Sequence, residues 1–395
     1  MMHIHDLTVG TPSADAPTVI AVHGITGNGL NWALLSDVVA RRFGEGRVRL
    51  LAPDLRGRGD SPVPEGDLGL DVHVSELAAL ARTLPQPPLL LGHSMGAAVC
   101  VLLGARHPDL ISGLVLVDGG LNFPIPPGVR QQDIDTTLRV ALGPAMKRLE
   151  RSFDSPQSYV DFVTDHPALG PLLTGDDADV LRRYVDHDTR PSSAGDGRYV
   201  SSCVLDSIRA DGRDVFFHPS LAGALRTAVA KGVRTEFLWA PRGLFDEPQG
   251  LYDKERLGLL NVPAEVRVTK VPDTNHYSIV LARKGLAYVV DAVERLLGLG
   301  VDQRSAAEAT PLRPSDDVQP GQVYEDCSYH PVYCTDRDED TVSGISLIDG
   351  STPRTCDLRS CGVRILEVAD VVEARRDHAA YLARRQRANG TVDAR

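Results

Sequence analysis

The chain has 395 residues, a formal net charge of −11, and a composition that is 42% hydrophobic and 24% charged; this is the make-up of a soluble globular protein longer than one ordinary domain. The acidic balance speaks against a nucleic acid or an anionic membrane surface as partner, and the longest apolar runs, such as LVLV at 114–117, are far too short to span a bilayer. No basic stretch followed by an apolar run opens the sequence, so no secretory leader is read there and the cytoplasm is the expected compartment.

The first core strand is expected at 18–23 (TVIAVH), ending in His23-Gly24-Ile25-Thr26-Gly27. A Gly-rich loop leaving a strand in this way can aim the backbone N–H of Ile25 at a developing negative charge, with Gly24 making the turn; His23 is read as structural. An amphipathic stretch follows at 30–42, then a strand at 48–53 and the turn Asp54-Leu55-Arg56-Gly57-Arg58-Gly59-Asp60-Ser61, also read as structural. A helix is expected over 71–84 and a strand over 87–92. That strand runs into Gly92-His93-Ser94-Met95-Gly96, and a helix is expected over 95–106. A Gly-x-Ser-x-Gly bend between strand and helix holds the serine hydroxyl out at a helix N-terminus, where orphan N–H groups favour negative charge. Ser94 is therefore the candidate nucleophile, and the Met95 amide is a second donor aimed at the same point as Ile25. The next strand, 114–117, ends at Asp118.

Between 121 and 230 the strand–helix alternation breaks into Pro-rich turns, helical patterns and the polar run RPSSAGDGRY. A segment of this length is too long for a loop and is read as a mostly helical cap over the edge of the sheet where open α/β folds place ligands. Strands resume at 235–239 and 266–271, and a helix is expected over 281–298. His276 lies between the last strand and this helix, where an imidazole can serve as general base to a serine. Residues 299–322 are polar and Pro-containing and read as a linker; 323–366 reads as a small β-rich unit, and 367–395 as a helical tail. Cys327, Cys334, Cys356 and Cys361 fall in this region, with His330 between the first two. Their spacing is wider than that of common zinc sites, so buried, inert cysteines are preferred to a metal site. No cofactor is called for.

The ordered set of glycine loop, Gly-x-Ser-x-Gly bend, insertion and late histidine resembles the α/β-hydrolase superfamily over residues 1–300. The segment Asp54 to Ser61 is similar to that family's D-x-R-G-x-G-x-S turn. The resemblance implies a mostly parallel sheet flanked by helices, with core segments 1–120 and 231–298 around a cap at 121–230. The N-terminus departs from the pattern, leaving room for one or two edge strands before residue 18. It further implies an acid that orients the histidine, either Asp246 in the loop after 235–239 or Asp118. Glu247 stands behind these, and Asp273 lies too near His276 in sequence. The implied activity is serine hydrolysis of an ester or thioester of a small or medium acyl substrate through an acyl-enzyme. The alternatives are a cofactor-free haloperoxidase or carbon–carbon bond hydrolase on the same triad, and a non-catalytic binding protein of the same fold. The small C-terminal unit is not recognised; a protein partner is one reading of it.

Overall fold

The computed structural model describes residues 2–63, 66–122, 130–299, 318–326, 329–338, 341–357, 363–366 and 368–389. Contacts divide the chain into two units, residues 1–300 and 301–395. In the first, the elements up to the insertion are β1 (Ile4–Asp6), β2 (Thr18–Val22), α1 (Ala33–Phe43), β3 (Arg49–Pro53), α2 (Leu70–Arg82), β4 (Leu89–His93), α3 (Met95–Arg106) and β5 (Gly113–Val117). The insertion carries α4 (Ile134–Leu142), α5 (Pro144–Leu149), α6 (Pro156–Thr164), α7 (Gly170–Leu173), α8 (Ala178–Asp188), the hairpin β6 (Thr189–Pro191) and β7 (Tyr199–Ser201), α9 (Leu205–Phe217) and α10 (Leu221–Ala230). The core then resumes with β8 (Thr235–Trp239), α11 (Lys254–Leu259), β9 (Arg267–Lys270), α12 (Ser278–Leu281) and α13 (Arg283–Leu297).

Seven strands form one sheet in the order β1-β3-β2-β4-β5-β8-β9. All neighbours pair parallel except β1, which lies antiparallel along β3 as an edge strand. The central strands are wholly buried because their apolar runs serve two faces at once. Alternate residues go opposite ways: Ile20, Leu90, Leu114 and Phe237 join one apolar cluster with residues of α2, α3 and α10. Val19, Leu89, Leu91, Val115 and Leu238 join another with residues of α1 and α13. Helix α3 is buried from Met95 to Ala105, as its uniformly apolar sequence requires. A Leu102→Ala change there is of the class that costs about 2–5 kcal/mol.

Helix α10, within the segment read as cap, packs Leu221, Ala224, Leu225 and Ala228 into the cluster that holds α3, so it belongs to the helical layer of the sheet. The rest of the insertion is pinned to the core by buried charge. Arg58, in the turn after β3, pairs with Asp211 of α9 at 2.5 Å, and His73 of α2 approaches the same carboxylate oxygen at 3.0 Å. Arg148 of α5 lies 3.5 Å from Asp188 of α8, whose carboxylate also accepts the Tyr159 hydroxyl. Both arginines are almost fully buried, so each costs desolvation that only its pairing offsets.

The second unit is a five-stranded antiparallel sheet: β10 (Val323–Glu325), β11 (Pro331–Arg337), β12 (Thr341–Ser346), β13 (Arg354–Asp357) and β14 (Arg364–Ile365), in the order β13-β12-β11-β10-β14. Helices α14 (Val368–Arg376) and α15 (His378–Asn389) follow. Buried Glu325 receives Arg385 through two nitrogens and the Tyr381 hydroxyl, which ties α15 to β10. Cys334 and Cys356 are buried in its apolar core with Tyr324, Val332 and Val342, whereas Cys327, Cys361 and most of the expected linker lie outside the described residues. Among the described residues, no helix is long and apolar enough to cross a membrane.

Candidate active site

Ser94 sits at the bend between β4 and α3 with φ 56° and ψ −122°, a left-handed conformation that costs a non-glycine residue of order 1–3 kcal/mol. The surroundings over-determine it. A Cβ on Gly96 would lie 2.4 Å from the Val22 carbonyl oxygen, and one on Gly119 would lie 2.2 Å from the Ser94 carbonyl oxygen. The Ser94 N–H donates to the Val117 carbonyl at 3.0 Å, so the bend is stitched to the neighbouring strand.

His276 lies in the loop between β9 and α12, and its Nδ1 meets Asp118 Oδ2 at 2.7 Å. Asp118 follows β5 and is fully buried; its other oxygen accepts the Ala240 N–H at 3.0 Å. Asp246 is not brought to His276. Its carboxylate instead takes Arg242 at 2.5 Å and the Asn275 amide at 2.9 Å. Asn275 in turn accepts the Tyr277 and Ser278 amides and caps the start of α12, so Asp246 fixes the loop next to the histidine. Glu247 turns back on its own loop to accept the Phe245 amide, and Asp273 pairs with Lys284.

Nothing in the sequence pattern gives His93 a role. It is buried, and its Nε2 donates to the His276 carbonyl at 2.8 Å while the two rings lie 4.6 Å apart. Burial, with the neighbouring His276 second, holds its pKa well below the ordinary imidazole value, so the neutral ring is a donor on that nitrogen.

The loop after β2 is shaped by His23. The Gly24 carbonyl accepts the Gly27 N–H at 3.1 Å and His23 Nδ1 at 2.8 Å, while His23 Nε2 accepts the Leu55 N–H at 2.9 Å. In a trans peptide the N–H points opposite to the carbonyl before it, so the Ile25 N–H faces away from this turn. Burial lowers the His23 pKa to about 4, consistent with one donating and one accepting nitrogen. The next two carbonyls are each held by a buried guanidinium: Arg58 Nε reaches Ile25 O at 3.0 Å, and Arg148 Nη2 reaches Thr26 O at 2.8 Å. Arg58 also lies 4.0 Å from Met95 Sδ. The segment holding Arg58 was read as purely structural, and nothing in sequence spacing pairs either arginine with this loop.

Ser94, His276, Ile25 and Met95 open on a single cavity of about 610 Å³. Its far wall is the insertion, through Leu138, Val140 and Leu142 of α4 and Val215 and Phe216 of α9, with Leu251 from the core. This is a volume suited to a small organic molecule, and the wall is apolar.

Residues 17–161 match the family model described as the alpha/beta hydrolase fold. Lipase LipV of Mycobacterium tuberculosis is 32% identical over 154 residues, which cover 38% of this chain and 55% of the lipase. Esterase Rv0045c of the same organism is 33% identical over 177 residues, covering 44% of this chain and 53% of that protein; the chain thus spans about half the length of the curated relatives it matches. Among solved structures, an E-2-(acetamidomethylene)succinate hydrolase aligns with a TM-score of 0.55 at 19% identity, over 75% of this chain and 95% of its own. With that match lying across the sheet order and the strand–serine–helix bend just described, the first unit has the α/β-hydrolase fold.

Proposed function

We propose that the protein is a serine hydrolase that cleaves an ester or thioester of an apolar small or medium acyl group through an acyl-enzyme. The observation that carries this reading is the 2.7 Å contact between His276 Nδ1 and Asp118, on a histidine that shares its cavity with Ser94. That contact fixes the tautomer and leaves Nε2 as the basic nitrogen. Ser94 Oγ attacks the acyl carbonyl as His276 takes its proton. The Ile25 and Met95 amides receive the oxyanion, the latter as the first amide of α3, which has no acceptor within its helix. His276 returns the proton to the leaving group, and water then releases the acid. The insertion acts as a cap that lines the acyl pocket and excludes water. The lipase and esterase names of the partial relatives favour ester chemistry.

Labelling by a fluorophosphonate probe tests this. Wild-type protein is expected to label at Ser94, with labelling abolished in Ser94→Ala and strongly slowed in His276→Ala. A folded wild type that neither labels nor hydrolyses nitrophenyl esters of short to medium chains overturns the proposal.

A further inference from the structure

Away from the catalytic cavity, three imidazoles gather around one buried carboxylate. Asp54, at the end of β3, has no exposed surface. Its Oδ1 lies 3.2 Å from His5 Nε2, and its Oδ2 lies 2.9 Å from His187 Nε2. The Gly29 N–H at 2.7 Å and the Asp60 N–H at 2.8 Å hold the two oxygens from behind. His3, just before β1, joins them, its ring 4.6 Å from that of His5. The His5 and His187 rings are 4.8 Å apart. Ligand atoms of His3, His5 and Asp54 all fall within 4.8 Å of one another.

Asp118 meets the single imidazole of His276, and the company Asp54 keeps differs from that of Asp211 and Asp188. Asp211 and Asp188 are each met by an arginine, which neutralises a carboxylate permanently and binds no metal. Among the described residues, the side chains that meet the Asp54 carboxylate are the imidazoles of His5 and His187, which release a proton and coordinate. Two nitrogens and an oxygen on a rigid, hydrogen-bonded carboxylate are the donor set of a borderline divalent ion, with zinc the type case. Tetrahedral bonds of about 2.0–2.2 Å separate neighbouring ligand atoms by about 3.3–3.6 Å, close to the 3.2 Å between His5 Nε2 and Asp54 Oδ1. The amides behind the carboxylate supply the outer support such ligands need. The side chains of His5 and His187 are 13% and 15% exposed, which leaves an ion a way in.

We infer that His3, His5 and Asp54, with His187 approaching the second carboxylate oxygen, form a binding site for a divalent transition-metal ion of the zinc class. The ion joins the edge strand β1 and the end of β3 to helix α8 of the insertion, so its effect is to fasten the insertion to the sheet.

The full chain, carrying no histidine tag and stripped with chelator, is titrated with cobalt(II) alone and then zinc. One equivalent of cobalt is expected to bind with a visible absorption band, to be displaced by zinc, and to raise the melting temperature. His3→Gln and His5→Gln should each weaken binding by at least about tenfold, with a smaller loss in His187→Gln. His218→Gln, which alters a histidine paired with Asp71 elsewhere, should change nothing. Circular dichroism of the stripped variants separates ligand loss from misfolding, and His3→Gln decides the matter should His5→Gln fail to fold. Absence of saturable binding, or binding undiminished in both His3→Gln and His5→Gln, overturns the inference; neither outcome bears on Ser94.

Discussion

At Asp118 two demands coincide: the residue must hold an imidazole and must itself be held. Its second oxygen takes the backbone amide of Ala240, the residue after β8, so the carboxylate is held independently of His276. Asp118→Asn is expected to lower kcat by about 10⁴, the cost of a wrong tautomer on the base. Asp246→Asn should lower kcat by less than about tenfold, because that carboxylate touches Arg242 and Asn275 rather than the imidazole. Steady-state kinetics on a nitrophenyl ester distinguish the two, and equal losses would remove Asp118 from the assigned role. Ser94, His276 and the Ile25 loop stand out as candidates in the sequence because each is marked by a local pattern of glycines and strand ends. The sequence leaves the acid open between two aspartates, since that choice depends on where a loop lies after β8 and not on spacing. Gly119 shows the same limit. It stands where a Cβ would collide with the serine backbone, yet only the folded chain brings residues 94 and 119 together. Gly119→Ala is expected to destabilise by several kcal/mol and to abolish activity, readable by denaturant unfolding and turnover.

Elements carry information that no single residue shows. The expected strands at 18–23, 48–53, 87–92, 114–117, 235–239 and 266–271 all form, shifted by no more than two residues at either end; the buried central strands advertise themselves as short apolar runs, and the mostly exposed edge strand β9 as an alternation of valines with polar residues. The pairing of the insertion with the loop after β2 is not legible in the sequence, as it rests on charges brought together across long stretches of chain. Arg58 holds the Ile25 carbonyl and Asp211 of α9; Arg148 holds the Thr26 carbonyl and stands near Asp188 of α8. The geometry of the Ile25 loop thus depends on three helices of the insertion, α5, α8 and α9, being in place. Asp211→Asn leaves Arg58 buried without its counter-charge and is expected to destabilise by about 3–5 kcal/mol. In molecules that remain folded, kcat should fall more than KM rises if the amide has its proposed role on the oxyanion and not on the bound ester. Removing both partners, as Arg58→Met with Asp211→Leu, should restore much of the stability without restoring kcat. A double variant that recovers both would show that the arginine serves packing alone.

On the scale of the whole molecule, buried neutral histidines set the acid limit of the fold. His23 is held at about 4 by burial, with Asp54 opposing and Arg58 and His73 assisting the shift. His166 lies at about 4, by burial and then the charge of Arg148. His93 is depressed as well, by burial and then His276. Above pH 6.5, the ordinary imidazole value, each ring is neutral in the folded and unfolded chain alike, and stability is at its full value. As pH falls from 6.5 toward 4, the unfolded chain takes up protons that the folded chain refuses, so unfolding becomes progressively easier. For His23 the whole interval amounts to about 3 kcal/mol, from roughly 1.4 kcal/mol per unit of difference. Below 4 the folded ring also charges. Its Nε2 can then no longer accept the Leu55 amide, and the turn that orients Ile25 is lost with it. Denaturant unfolding at a series of pH values between 7 and 4.5 should therefore show a falling free energy, with the slope in His23→Gln smaller by about one proton. The same slope in both proteins would mean that His23 is charged in the folded state, and the hydrogen-bond roles assigned to its two nitrogens would have to be abandoned.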